Sequence, residues 1–272
     1  MSAGAAHVRP PEPAAPPPAV GAPWRRWCLL GAVVVALLAL LPPLGTGARH
    51  SEWAAALQFG LLALAVPALV ALGAPWRLLG LSADGVPRLA DRAAAGRRRH
   101  PELVRSLGFI ALDLAVVVVW RTPGAVSAAA AHGWGAVLEA VTLLIAGTGL
   151  WLELVASPPF EPRAGYFRRA VFGAVVMWVF WILAYIVAMS THDFYANFHH
   201  APGGLSAAAD QQIAAALSWF VAAAAFLPVI FANAVMWLQT DADPDTELAS
   251  LLRAERRRGT PPRQDGEESP TA

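Results

Sequence analysis

The chain has 272 residues, of which 57% are apolar and only 14% charged, with a net charge of +1. A soluble domain carries about 25% charged residues, so this composition argues for a membrane protein, and the near-neutral balance gives no ground for a nucleic-acid partner. The single cysteine, Cys28, excludes an internal disulfide and any cysteine-based metal site.

Residues 1–24 form a Pro- and Ala-rich arm around PPEPAAPPP. Such a run buries little apolar surface and is expected to be disordered. Arg25 and Arg26 precede an apolar run from Trp27 to about Leu44. A basic flank, an apolar stretch and small residues are also the pattern of a signal peptide. At about 18 residues the run exceeds the usual 7–15 of a signal core, which favours a retained first span. A second span covers about Trp53 to Leu72 and stops at Gly73-Ala74-Pro75. After an Arg-rich loop over 80–101, a third runs from about Leu103 to Trp120 and ends at Arg121-Thr122-Pro123. Ala128 to Ala131 begin a helix that leads into a fourth, about Trp134 to Val155. The fifth is about Phe167 to Ser190, and the sixth about Gln212 to Leu238. Each has roughly the 20 residues needed to cross the hydrocarbon core. The fold expected is an all-α, polytopic transmembrane helix bundle of about six spans over 25–240, followed by a charged tail over 241–272.

Arginine placement sets the orientation, because basic residues collect on the cytoplasmic side. With the N-terminus inside, only Arg49 and Arg121 of the 20 arginines fall outside. Both termini are therefore expected in the cytoplasm of a bacterial cell membrane. The polar stretch Thr191–Trp219, which holds His192, His199 and His200 and no arginine, then begins on the outer face. The 11 tryptophans suit a protein with two membrane interfaces.

A charged side chain inside a span costs several kcal/mol, so each needs a partner or a task. Gln58, Glu139, Asp210 and Gln211 fall in the outer half of the expected bundle, with Arg121 and His132 at its edge. Asp113 lies near the middle of span three, Glu153 at the inner, interfacial end of span four, and Asn233 near the inner end of span six. Two readings of the outer set stand side by side: a hydrogen-bonded layer that fixes helix packing, or a site for an ion or a partner. For Asp113 the alternatives are a pairing with a neighbouring helix or a proton-relay carboxyl. His192, His199 and His200, with Met189 near them, offer donors suited to copper, or they are a solvated polar loop. No phosphate-binding loop and no nucleophile with an acid–base partner is visible. Ser206 is placed to cap the last helix.

Several of these pieces carry a resemblance. Phe194-Tyr195 and Phe198 are followed by Gly204-Leu205-Ser206, Asp210-Gln211, Ala215-Ala216 and Trp219. Upstream stand Ala65-Val66-Pro67 with Leu72-Gly73-Ala74-Pro75, then Trp120-Arg121-Thr122-Pro123, then Glu139-Ala140 with Gly147, Gly149 and Trp151. In this order the stretch from about Trp53 to Asp243 resembles the CtaG family of cytochrome c oxidase assembly proteins. The resemblance implies a role in assembling a haem–copper oxidase, with copper delivery or subunit scaffolding as the activity and oxidase subunits or other membrane proteins as partners. It also marks departures. The family's histidine pair at the start of span two is replaced by Trp53 to Gln58, its Trp-His-x-Pro histidine by Arg121, and its Glu-His histidine by Ala140. Arginine stays protonated and cannot in practice ligate a metal.

The sequence therefore points to a binding or scaffolding protein rather than an enzyme. Gln58, Arg121, Glu139, Tyr195, Asp210 and Gln211 are its polar core or partner-binding residues, and Phe198 shapes the rim with Tyr195. Arg121 and Glu139 are expected to form an ion pair where relatives hold a metal. Copper remains a cofactor only through His192, His199 and His200. The competing readings are a histidine-poor paralogue that only contacts membrane partners, and a small transporter.

Overall fold

The computed structural model of the protein describes residues 23–77, 102–158, 160–190, 192–198 and 204–241. The expected arm and tail lie outside these residues except at their edges, where Trp24 and Asp241 are already helical. The Arg-rich loop over 80–101 also lies outside them.

Among the described residues eight α-helices follow one another: α1 Trp24–Leu40, α2 Leu44–Gly47, α3 Glu52–Gly73, α4 Glu102–Trp120, α5 Pro123–Ala131, α6 Gly133–Leu154, α7 Tyr166–Met189 and α8 Ala207–Asp241. Among the described residues there is no strand, only an isolated bridge between Ser157 and Phe160. Helices α3, α4, α6, α7 and α8 are long and apolar enough to cross a membrane. Helix α1, with 17 residues, is about 26 Å long, a little short of the roughly 30 Å hydrocarbon thickness. It packs along the second half of α3. The architecture is thus an all-helical membrane bundle with close to six spans.

Proline explains two local departures from the expected spans. Helix α1 stops at Leu40, not Leu44, because Pro42 and Pro43 carry no N–H to continue the hydrogen-bond ladder. In α3, Pro67 cannot donate to the carbonyl of Ala63, and the helix widens into π geometry over Leu61–Ala65 just before it. Gly147 of α6 approaches this point so closely that a Cβ there would lie 2.7 Å from the Ala63 oxygen. A small residue at such a crossing is what lets two membrane helices pack backbone to backbone. A third departure lies between α5 and α6. The alanines at 128–131 end a separate short helix, since His132 adopts an extended conformation (φ −128°, ψ 125°) before α6 begins.

The core runs down the bundle axis. Trp151 stacks on Phe226 at 5.3 Å with an interplanar angle of 7°, among Leu143, Val176 and Phe180. Helices α7 and α8 lie side by side. Trp181 and Trp219 stack at 4.9 Å, and each indole N–H donates to the other's carbonyl oxygen at 3.3 and 3.2 Å.

At the C-terminal end of α6, Glu153 is not an interfacial side chain. It is 0% exposed and takes a two-point ion pair from Arg105 (Nε to Oε1 and Nη2 to Oε2, both 3.1 Å) together with the Ser106 hydroxyl at 2.8 Å. A carboxylate withdrawn from water needs such a set of donors. Nearby loops are pinned by the Trp76 indole, which donates to Ser157 Oγ at 2.8 Å.

Candidate functional site

One end of the bundle is built around the start of α8. Ser206 accepts the Ala209 N–H at 3.2 Å, the capping contact its position suggested. This start places Asp210 in the first turn, facing α3. Its carboxylate, 0% exposed, accepts the backbone N–H of Glu52 at 2.7 Å and of Trp53 at 3.0 Å. These are the first two residues of α3, whose opening N–H groups have no partner within the helix. Ser51, the N-cap of α3, makes no side-chain cap and instead donates its hydroxyl to Gly47 at 3.2 Å. Asp210 therefore caps α3 from a different helix, with its negative charge at the positive end of the helix dipole.

Gln211, the next residue, ties the other side. Its amide donates to the carbonyls of Val187 at 2.7 Å and Ser190 at 3.3 Å, closing the C-terminus of α7. Its oxygen accepts the Phe194 N–H at 2.9 Å. The loop after α7 is thereby held against the bundle, and Tyr195 and Phe198 bury themselves beside Val187.

Tyr195 and Arg121 are brought together. The Tyr195 hydroxyl donates to the Arg121 carbonyl at 3.0 Å. The Arg121 guanidinium lies 5.2 Å from the ring centroids of both Tyr195 and Phe59, a double cation–π arrangement. Burial pushes the Tyr195 phenol above its usual value of 10.0, with Glu52 adding to the rise and Arg121 opposing it. A phenol that stays neutral in the folded protein but ionises in the unfolded chain favours unfolding as pH climbs past that usual value. Stability should therefore fall above about pH 10, and Tyr195→Phe should flatten that alkaline slope in unfolding titrations while leaving the profile below pH 9 parallel to wild type.

Gln58 and Glu139 complete the sequence-derived set. The Gln58 amide donates to the Ala39 carbonyl at 2.7 Å, standing in for the N–H that Pro43 lacks four residues on. Glu139 lies half-buried on α6. It does not form the expected ion pair with Arg121: the guanidinium stands over the two rings, and the two charges interact only at longer range. Both nevertheless line one cavity of about 450 Å3, with Gln58, Arg49 and Phe198 also in its wall.

Of the three histidines, His192 is exposed on the loop after α7, and His199 and His200 lie outside the described residues. Among the described residues, no group of three His, Cys, Asp or Glu side chains is placed to hold a metal ion. Asn233 donates to the carbonyl of Val229 in its own helix at 2.8 Å. Asp113 is 2% exposed on α4 and has an oxygen with no hydrogen-bond partner among the described residues.

Two members of the polar sets at the bundle's ends escaped sequence reasoning. Glu52 is buried beside Asp210, with one oxygen unpartnered among the described residues. Its position in the first turn of α3 was the available signal, since an acidic residue there suits the helix dipole. Arg105 was counted only as a cytoplasmic charge, because nothing local in the sequence connects it to Glu153.

Comparison with known proteins agrees with this architecture. A family model, cytochrome c oxidase caa3 assembly factor (Caa3_CtaG), matches residues 5–240. Neither the curated proteins nor the solved structures contain a match. The family match takes in the polar layer and all the described helices but for the last residue of α8, and the chain belongs to the cytochrome c oxidase caa3 assembly factor family.

Proposed function

We propose that the protein works in a bacterial cytoplasmic membrane, with both termini inside, as a non-catalytic scaffold that holds oxidase subunits during assembly through its outer rim. Copper handling within the membrane is not part of this reading. The observation that supports it most is the position of Arg121. A permanently charged guanidinium over Phe59 and Tyr195 puts a positive charge on the wall of the outer cavity, where it repels a metal cation. Asp210 and Gln211, both fully engaged with backbone groups, serve to hold the rim in shape.

The test is copper content after loading the detergent-purified protein with reduced copper, beside a variant with His192, His199 and His200 all replaced by alanine. Oxidase subunits co-purifying from native membranes are measured in the same preparations. The expected result is copper well below one per chain in both forms, with oxidase subunits retained. One copper per chain in the wild type that disappears in the variant would replace the scaffold with a carrier whose site is the outer loop.

A further inference from the structure

We infer that the 450 Å3 cavity at the outer end binds the phosphate group of a membrane phospholipid. Arg49 and Arg121, the two arginines that the topology leaves on the outer side, line the same cavity. Their guanidinium groups donate no hydrogen bond to, and form no ion pair with, any described residue, although Arg121 is half-buried. A guanidinium has five N–H donors in a planar fork that matches a phosphate at two points, and cation–π contact with Phe59 and Tyr195 satisfies none of them. Glu139 and the Gln58 side chain supply the acceptors that a headgroup hydroxyl or amine would need. Two arginines against one glutamate leave the wall with a net charge of +1, complementary to a phosphodiester monoanion.

The walls favour a lipid over a soluble phosphate. Leu40, Val137 and Val141 line the cavity and are 48%, 63% and 46% exposed. They belong to helices that face hydrocarbon, so an acyl chain can leave the cavity without crossing a polar barrier. The volume lies within the roughly 300–1,000 Å3 usual for small-molecule sites. This inference does not depend on the scaffold reading, because neither copper content nor oxidase co-purification reports on it.

The experiment is native mass spectrometry of the full chain, delipidated in detergent and titrated with phosphatidylglycerol, with separate arms receiving inorganic phosphate or glycerol phosphate. Arg49→Gln, an exposed position outside the packing, and Arg121→Gln are compared with wild type, with circular dichroism confirming equal helix content. The expected result is one lipid per wild-type chain, bound roughly tenfold or more weakly by each variant, as loss of charge-assisted hydrogen bonds implies. Excess soluble phosphate should not displace it. Lipid binding unchanged in Arg49→Gln and in correctly folded Arg121→Gln would overturn the inference. Soluble phosphate binding as well as the lipid would overturn its lipid source.

Discussion

Arg105→Met is expected to destabilise the bundle by about 3–5 kcal/mol, the usual cost of stripping one partner from a buried ion pair. Glu153 would stay at 0% exposure with its two-point guanidinium contact gone and the Ser106 hydroxyl still donating. The double variant Arg105→Met/Glu153→Leu should recover most of that loss. The attraction between the two ions is largely offset by the cost of removing both from water, whereas a well-packed apolar pair carries no such cost. Reversible unfolding in mixed detergent micelles, read by circular dichroism, gives the three stabilities, and the cycle isolates the coupling. A double variant as unstable as the sum of its singles would give zero coupling and overturn the Arg105–Glu153 pairing as the source of the loss.

Asp210→Ala is expected to cost about 2–4 kcal/mol. It removes a cap worth about 1–2 kcal/mol and leaves the buried N–H groups of Glu52 and Trp53 without acceptors, at about 1–3 kcal/mol for an unsatisfied group. Asp210→Asn should cost less, because one oxygen remains while the second acceptor and the charge at the helix dipole are lost. The ordering Asp, Asn, Ala in unfolding midpoints identifies the carboxylate as a cap between helices. Equal losses for Asn and Ala would assign the whole effect to charge. Because Asp210 joins α8 to α3, proteolysis of the outer loops should also quicken in Asp210→Ala, while the inner Arg105–Glu153 end stays protected.

The polar layer and the proposed lipid cavity share Gln58 and Arg121, yet the roles separate by partner. Gln58 donates to a backbone carbonyl that a proline has left without its helical donor, a packing role. Among the described residues the Arg121 side chain makes only its ring contacts, and its five donors remain for something else. One helix end thus carries both a fixed frame and a group able to bind. A transporter reading gains nothing from this arrangement. Asp113 and Asn233 do not meet in a polar path, since Asn233 bonds its own helix and Asp113 has no hydrogen-bonded partner among the described residues.

The apolar runs determined the membrane class and a span count close to six, against five helices long and apolar enough to cross, because spanning length and hydropathy are local properties of the chain. The motif order around Asp210-Gln211 determined the family, and Ser206 was legible as a cap because capping is also local. That Gln58, Arg121, Glu139, Asp210 and Gln211 gather at one end of the bundle also followed from their places at the ends of the apolar runs. What each of them holds was decided only in three dimensions. Asp210 caps a helix that begins 158 residues earlier, Glu153 meets Arg105 across 48, and Tyr195 reaches the Arg121 carbonyl across 74. Sequence spacing carries no record of such pairings, because a side chain's partner across a bundle depends on helix crossing and rotation. The same reason explains the failed Arg121–Glu139 pair. Both residues come to one cavity, as their places at neighbouring helix ends implied, but the rotation of α4 delivers the guanidinium to the faces of Phe59 and Tyr195.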